Sequence, residues 1–388
     1  MRISWVTRSF LDYRIPVYKE LNRLCGDELT VVYYSDVVPQ RCQVKLKRIL
    51  KERSIGLTGE IRLIGKKLQP VSSLKNNKSR IPFQPGLVKT IASSKPEFII
   101  SDGFFQWTYG ALWLRLMRRI PHLMCYEGTI HTERSINGIK HFYRKTVLKL
   151  IDHIACNGSL SASYIKSLGY PEKKISHGNM AADMLLLQKQ IREFDIFQRK
   201  TLKIKLTLSD VVFLFIGRLV PLKGVGKLIE AWINCFGNNR ATSLLFVGDG
   251  PEKESLKNLI EKNGISNIHL TGEIDFDSIY QYLAISDIFV MPTLRDNWSL
   301  VVPEAMSAGL PIICSKYNGC WPELVKPENG WVFDPLDHKN FVDTLREAWD
   351  KRSHWKEMGQ QSLELVQNYS PEKVAGNIYN ACLSVLKK

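Results

Sequence analysis

Arg218 and Lys223 follow the apolar run Phe213-Leu214-Phe215-Ile216 and its closing Gly217, with four residues between the two cations and Gly224 after them. A buried strand that stops at a glycine, followed by two cations ahead of a helix, sets both charges at the carboxyl edge of an open α/β sheet, where such folds take ligands. A paired guanidinium and ammonium at that place suit the neutralisation of a departing diphosphate. A solvated basic turn is the competing reading of the spacing alone.

A second group of residues runs from Val290 to Gly309. A strand ends, the polar loop Asp296-Asn297-Trp298-Ser299 follows, and a helix opens near Leu300 and stops at Gly309 with Pro311 beyond it. The free N–H groups of such a helix start suit phosphate oxygens. Glu304, in the first turns, can accept paired hydrogen bonds from a ribose diol, and Asp296, with seven residues between the two, can bind hydroxyls of a sugar. Compensation of the helix dipole is the alternative reading of Glu304.

The elements that must carry these residues are read from periodicity. Strands are expected at Ile3 to Val6, Leu29 to Tyr34, Glu97 to Ser101, His122 to Tyr126 and His153 to Cys156, with helices at Arg14 to Leu24, Thr108 to Arg118 and Ile136 to Leu150 between them. Met184 to Lys205 shows neither period and is read as a linker with a flanking helix. The pattern then restarts with strands at Val211 to Ile216, Ser243 to Val247, Ile268 to Thr271, Ile288 to Met291, Pro311 to Cys314 and Trp331 to Phe333. Helices fall at Val225 to Cys235, Glu252 to Asn263 and Leu300 to Ala308. Strand and helix in alternation imply parallel sheets covered on both faces. The expected fold class is therefore α/β, with two Rossmann-like βα domains, 1–183 and 184–370, facing across a cleft. A last helix from 371 to 388 is expected to pack back on the first domain.

The Gly-Arg-x4-Lys-Gly run, followed roughly seventy residues later by an acidic-x7-Glu loop and helix, resembles the C-terminal domain of glycosyltransferase family 4, the retaining GT-B enzymes. Phe246-Val247-Gly248-Asp249-Gly250-Pro251 and Leu270-Thr271-Gly272-Glu273 stand between them in that family's order. The match covers roughly residues 205 to 350 strongly and the first half loosely. The resemblance implies transfer of a sugar from a nucleotide diphosphate, UDP or GDP, to a hydroxyl of a glycan or lipid-linked saccharide, with retention, in surface polysaccharide or lipopolysaccharide assembly. It implies Gly217, Arg218 and Lys223 as diphosphate ligands, Glu304 as the ribose ligand and the loop at Gly272 and Glu273 as the part that meets the base. Asn297, Trp298, Ser299 and Leu300 complete the donor loop. Asp296 stands where the family usually has Glu, one methylene longer.

In the first half the resemblance places a histidine after a strand, near the donor sugar. Here Glu127 occupies the end of the strand His122 to Tyr126 and His131 follows four residues later, so both are candidates for the reacting centre. Thr7 to Pro16 stands where relatives carry a glycine pair, and Arg14 reads either as a ligand for an anionic acceptor group or as a surface salt bridge. Asn157-Gly158-Ser159 is expected to cap a helix, and His177 to Asp183 to close the first domain. No cofactor and no metal are expected beyond the co-substrate. Asp275-Phe276-Asp277 is read as a helix cap rather than a cation site.

The composition narrows the alternatives. The chain of 388 residues carries a net charge of +16, and Lys45 to Lys89 alone has twelve Lys/Arg against Glu52 and Glu60. Such a surface suits anions summed over many contacts; with Phe104, Phe105, Trp107, Tyr109 and Trp113 it suggests peripheral contact with an anionic membrane, and a solvated basic loop is the alternative. No nucleic-acid recognition motif accompanies the charge. Eight scattered cysteines read as reduced core residues, and the N-terminus reads as a strand rather than a signal peptide, so the expected location is cytoplasmic, at the inner face of the membrane. A phosphorylase or sugar-nucleotide epimerase on the same fold, or a non-enzymatic basic protein binding membrane or nucleic acid, stay open as alternatives.

Overall fold

The computed structural model of the chain describes residues 1–62, 82–105, 107–134, 138–181 and 183–387. Residues 63–81 of the basic stretch expected at Lys45 to Lys89 lie outside the described residues. The chain forms two compact units, one of Met1–Ala181 with Pro371–Lys388 and one of Ala182–Ser370.

The first unit holds β1 (Ile3–Val6), β2 (Leu29–Tyr34), β3 (Ser54–Leu57), β4 (Ile61–Arg62), β5 (Pro82–Phe83), β6 (Phe98–Asp102), β7 (His122–Tyr126), β8 (His153–Cys156) and β9 (Ile175–His177). Seven of these form a parallel sheet in the order β3-β2-β1-β6-β7-β8-β9, while β4 and β5 pair antiparallel by themselves. Every residue of β1, β2, β7 and β8 is buried, as helices on both faces require; such strands read as continuous apolar runs, which is why the sequence reveals them. β3 and β9 have half-exposed edge positions and carry no such run. The last helix, Pro371–Leu386, packs on Arg14–Leu24, its Val374, Ala375, Ile378 and Cys382 sharing one core with Trp5, Tyr18 and Leu21.

The second unit holds β10 (Val211–Ile216), β11 (Thr242–Val247), β12 (Ile268–Leu270), β13 (Ile288–Met291), β14 (Ile312–Ser315) and β15 (Gly330–Phe333), all parallel in the order β12-β11-β10-β13-β14-β15. From β10 the chain builds outward to β12 and then returns to lay β13 on the other side of β10. The strand order therefore reverses between β10 and β13, the place where open α/β sheets open a crevice for ligands.

Several expectations are corrected. Met184 to Lys205 is two helices, Met184–Glu193 and Ile196–Lys205, the second started by a capping box between Asp195 and Gln198; exposed apolar residues such as Ile196 and Phe197 blurred the period. Arg14 is no surface residue. It is 6% exposed, its guanidinium donates to the Asn179 carbonyl at 2.8 Å and lies over the Trp5 ring, and Asp102 supplies the nearby negative charge. The helix Ser159–Ser167 is capped by Gly158 without a side-chain bond, and Asn157 instead accepts from Asn179. Of the aromatics, Phe104 and Trp107 belong to the core and Trp113 is 55% exposed. The eight cysteines are free, and all but Cys235 are buried. Among the described residues no helix is long and apolar enough to cross a membrane.

Candidate functional site

Three glycine loops are stacked at the carboxyl edge of the second sheet. The pairing of β10 with β11 continues past the strands, Gly217 N donating to the Val247 carbonyl at 3.0 Å and Leu219 N to that of Asp249 at 2.9 Å. Gly248 N donates in turn to the Gly272 carbonyl at 3.0 Å. A Cβ on Gly248 would overlap the Gly217 carbonyl, and one on Gly250 the Leu219 backbone. The loop backbones thus approach as closely as absent side chains allow. Glu273, beyond Gly272, is exposed.

The turn after β10 is tied to the loop after β13. Leu294 N and Thr293 Oγ1 both donate to the Leu222 carbonyl, at 2.8 and 3.0 Å, and Gly224 leaves room for the Pro292 carbonyl. These contacts bring Lys223 against Asp296, whose Oδ2 accepts from the ammonium and from Ser299 Oγ, both at 2.5 Å. Asp296 Oδ1 accepts from Trp298 N at 3.2 Å. With side chains only 24% and 17% exposed, the ion pair is partly screened from water and held in one geometry by its neighbours. Arg218 is different: it is exposed, and among the described residues no hydrogen bond or ion pair engages its guanidinium.

The helix that follows is short, Val301–Ser307, and several N–H groups near its start are committed. Ser299 N donates to Asn318 Oδ1 and Val302 N to the Ser299 carbonyl, both at 3.2 Å, and Pro303 has none. Leu300 and Val301 keep the N–H groups that this corner can turn toward an anion. Trp298, 6% exposed, packs against Tyr369 with ring centroids 6.0 Å apart, fixing the loop from behind.

Among the described residues, two acceptor atoms of this loop and helix are buried without a partner: Asn297 Oδ1 and Glu304 Oε2. An unsatisfied buried acceptor costs about 1–3 kcal/mol, and a carboxylate more, so two of them on one loop and helix mark a place prepared to receive donors. Desolvation pushes the Glu304 carboxyl up to about 8. Because that value lies above the ordinary 4.5, the stability tied to the protonated group is complete below pH 4.5 and is lost as pH rises through about 8. Glu304→Gln is expected to flatten the fall in Tm over that range, measured by scanning calorimetry across pH.

Asn318 was not among the residues that spacing nominated. Its Oδ1 accepts from Ser299 N at 3.2 Å and Cys320 N at 3.4 Å, so it supports the loop after β13 from beyond the end of β14. The dipeptide Asn318-Gly319 after an apolar run was the available signal. The Asp249–Lys253 ion pair beside Gly272, at 2.7 Å, was likewise unmarked. Asp275 bonds Asp277 N at 3.2 Å, starting the turn Phe276–Ser278 rather than capping the helix Ile279–Ala284, whose N-cap is Ser278.

Glu127 and His131 stand in the first unit, on the loop after β7. Glu127 is exposed, its carbonyl accepting from Ser161 Oγ at 3.0 Å, and His131 is half-buried.

Residues 198–364 match the family described as Glycosyl transferases group 1. Over 381 residues the chain is 25% identical to a sulfoquinovosyl transferase of Arabidopsis thaliana, covering 94% of this chain and 69% of that one. It is 25% identical over 255 residues to the alpha-monoglucosyldiacylglycerol synthase of Acholeplasma laidlawii, 59% of this chain and 61% of that enzyme. In three dimensions it resembles the Anabaena protein HepE solved with UDP, with a TM-score of 0.73 at 16% identity over 99% of this chain and 100% of that one. HepE has also been solved with UDP-glucose, with a TM-score of 0.69 at 17% identity, again over 99% and 100% of the two chains.

Proposed function

We propose that the chain, a glycosyltransferase of the GT-B fold whose residues 198–364 match Glycosyl transferases group 1, moves a sugar, with retention, from a nucleotide diphosphate to a hydroxyl of a glycan or lipid-linked saccharide. The observation that carries the donor assignment is the corner of the second unit where the Glu304 carboxyl, its Oε2 buried, and the Arg218 guanidinium, both without a partner among the described residues, belong to the loops of one sheet edge.

In this reading the ribose diol donates to Glu304, and the base lies along the backbone at Gly272 and Glu273. The diphosphate meets Arg218, Lys223 and the N–H groups of Leu300 and Val301. As the anomeric bond breaks, charge gathers on the leaving phosphate, and donors already fixed in place stabilise it without reorganising. Asp296 holds Lys223 in position and has lone pairs left for a sugar hydroxyl. The departing phosphate oxygen takes the acceptor proton, and transfer proceeds without a metal. Glu127 and His131 are the proposed contributors from the first unit. UDP-glucose is the donor to try first, because HepE has been solved with it. A lipid-linked acceptor is favoured by the relative named an alpha-monoglucosyldiacylglycerol synthase, and assembly of surface polysaccharide or lipopolysaccharide is the setting we assign. Contact with an anionic membrane from the cytoplasmic side is part of the same proposal.

Calorimetric titration with UDP, GDP and UDP-glucose tests the donor assignment. At least one nucleotide is expected to bind, and Arg218→Ala and Glu304→Ala are each expected to weaken it about 10- to 100-fold, the first by loss of a charge-assisted hydrogen bond and the second by loss of paired buried ones. Unchanged affinity in both variants would overturn the assignment.

A further inference from the structure

The loop that carries Glu127 and His131 is closed by a buried network on its inner side. Tyr126, the last residue of β7 and 5% exposed, donates its hydroxyl proton to Glu133 Oε1 at 3.0 Å and accepts from Arg144 Nη1 at 3.3 Å. Arg144 donates from Nη2 to Glu133 Oε2 at 3.0 Å and from Nη1 to the Tyr164 hydroxyl at 2.6 Å. Arg144 is 6% exposed, and its guanidinium lies over the Phe104 ring at 5.0 Å and the Tyr164 ring at 5.6 Å.

Core packing alone does not call for this arrangement. A charged side chain sealed among aromatic rings is costly unless paired and bonded, and a hydrophobic residue of similar volume would fill the space more cheaply. What the charge supplies here is direction. It reaches from the helix Gly138–Leu148 to the far end of the loop at Glu133, while Tyr126 holds the near end. Between them the chain turns on itself: Thr129 N donates to Thr132 Oγ1 at 2.9 Å, Thr132 N to Thr129 Oγ1 at 3.2 Å, and Glu133 N to the Thr129 carbonyl at 3.0 Å. Gly128 fits inside this closure, since a Cβ there would come within 2.5 Å of the Tyr126 hydroxyl and 2.6 Å of Glu133 Oε1.

We infer that Tyr126, Glu133 and Arg144 are positioning residues, which fix both ends of the loop 127–134 and so set the backbone from which Glu127 and His131 act. The inference rests on the proposed role of those two residues. It predicts that weakening the network loosens the loop and slows turnover while donor binding, which belongs to the second unit, is untouched.

Tyr126→Phe removes one hydroxyl and keeps the ring. Tyr170→Phe is its control: Tyr170 lies in the same core, and its hydroxyl donates to the Ile151 carbonyl at 3.0 Å, away from the loop. Tyr126→Phe loses two buried hydrogen bonds and Tyr170→Phe one, so both are expected to lower Tm, the first by somewhat more. For Tyr126→Phe, amide exchange in 127–134, read by mass spectrometry, is expected to rise about 10-fold. The kcat for release of UDP from UDP-glucose is expected to fall by a similar factor with KM unchanged. Tyr170→Phe should change neither. Glu133→Gln, which keeps the shape but leaves the Arg144 guanidinium without its carboxylate, should loosen the loop at least as much as Tyr126→Phe. Equal exchange and equal kcat in the two tyrosine variants would reduce the network to core packing, and faster exchange with unaltered kcat would detach the loop from the chemistry. If the wild-type protein neither binds nor hydrolyses UDP-glucose, it is the donor assignment that fails, and the exchange comparison still decides whether the network fixes the loop.

Discussion

Lys223→Ala is expected to lower kcat/KM for the nucleotide-sugar donor by about 10²- to 10³-fold, the usual cost of deleting one fixed donor that meets charge developing in the transition state. Lys223 is suited to that effect because its ammonium is already immobilised. The turn Pro221–Lys223 is pinned to the loop after β13 through the Leu222 carbonyl, and Asp296 holds the ammonium at 2.5 Å. A cation so held stabilises a leaving phosphate without first ordering a long side chain. The pair also fixes how the loss should be apportioned. Removing the ammonium leaves Asp296, among the described residues, with Ser299 Oγ and Trp298 N as its donors, so its charge would then face the proposed diphosphate uncompensated. Lys223→Ala with Asp296→Asn should therefore be less damaging than the two single losses combined, a coupling that a double-mutant cycle on kcat/KM reads directly. A Lys223→Ala enzyme within about twofold of wild type would remove this cation from the chemistry.

Gly248→Ala is expected to be among the most destabilising single substitutions in the second unit, by about 3 kcal/mol or more. Gly248 has φ of +136°, a region an L side chain rarely adopts, and its new Cβ would overlap the Gly217 carbonyl. Backbone in such a region costs of order 1–3 kcal/mol by itself, and the overlap is with main chain that cannot rotate away. Relief requires parting the loops after β10 and β11, which are joined by Gly217 N to Val247 O and Leu219 N to Asp249 O. Nucleotide affinity should fall with stability, since Arg218 stands on the displaced loop. Gly226→Ala gives the contrast: Gly226 lies inside the helix Val225–Cys235 with nothing within 4 Å of a built Cβ, and alanine there should stabilise by about 0.5–1 kcal/mol. Thermal unfolding of the two variants, run beside calorimetric titration with UDP, checks the pair. Comparable Tm values for the two would mean that the glycine loops are not closely packed.

Much of the fold is legible because its strands are short and buried on both faces. Ile3 to Val6, Leu29 to Tyr34, Val211 to Ile216 and Ile288 to Met291 were expected with the observed ends, each an apolar run bounded by polar or turn residues. The edge strands β3 and β9 were passed over because half-exposed edge positions erase that run. Helices Arg14–Leu24, Thr108–Arg118 and Val225–Cys235 were likewise read with their observed ends. The pair Met184–Glu193 and Ile196–Lys205 was not, since apolar residues left in solvent give a face no core selects.

The sequence by itself determined the residue types at the ends of β10 and β13, their order along the chain, and the alternation that makes two parallel sheets, because each of these is a local pattern written in consecutive residues. Tertiary structure alone decided which distant groups meet. Lys223 and Asp296 touch because β13 lies beside β10 although β11 and β12 intervene in the chain. Arg14 is buried because Trp5, Asp102 and Asn179, contributed by separate elements, converge around it. Glu304 holds its proton past the ordinary range because the packing around it excludes water. Desolvation and charge pairing are sums over neighbours from many segments, and no window of the sequence contains that sum.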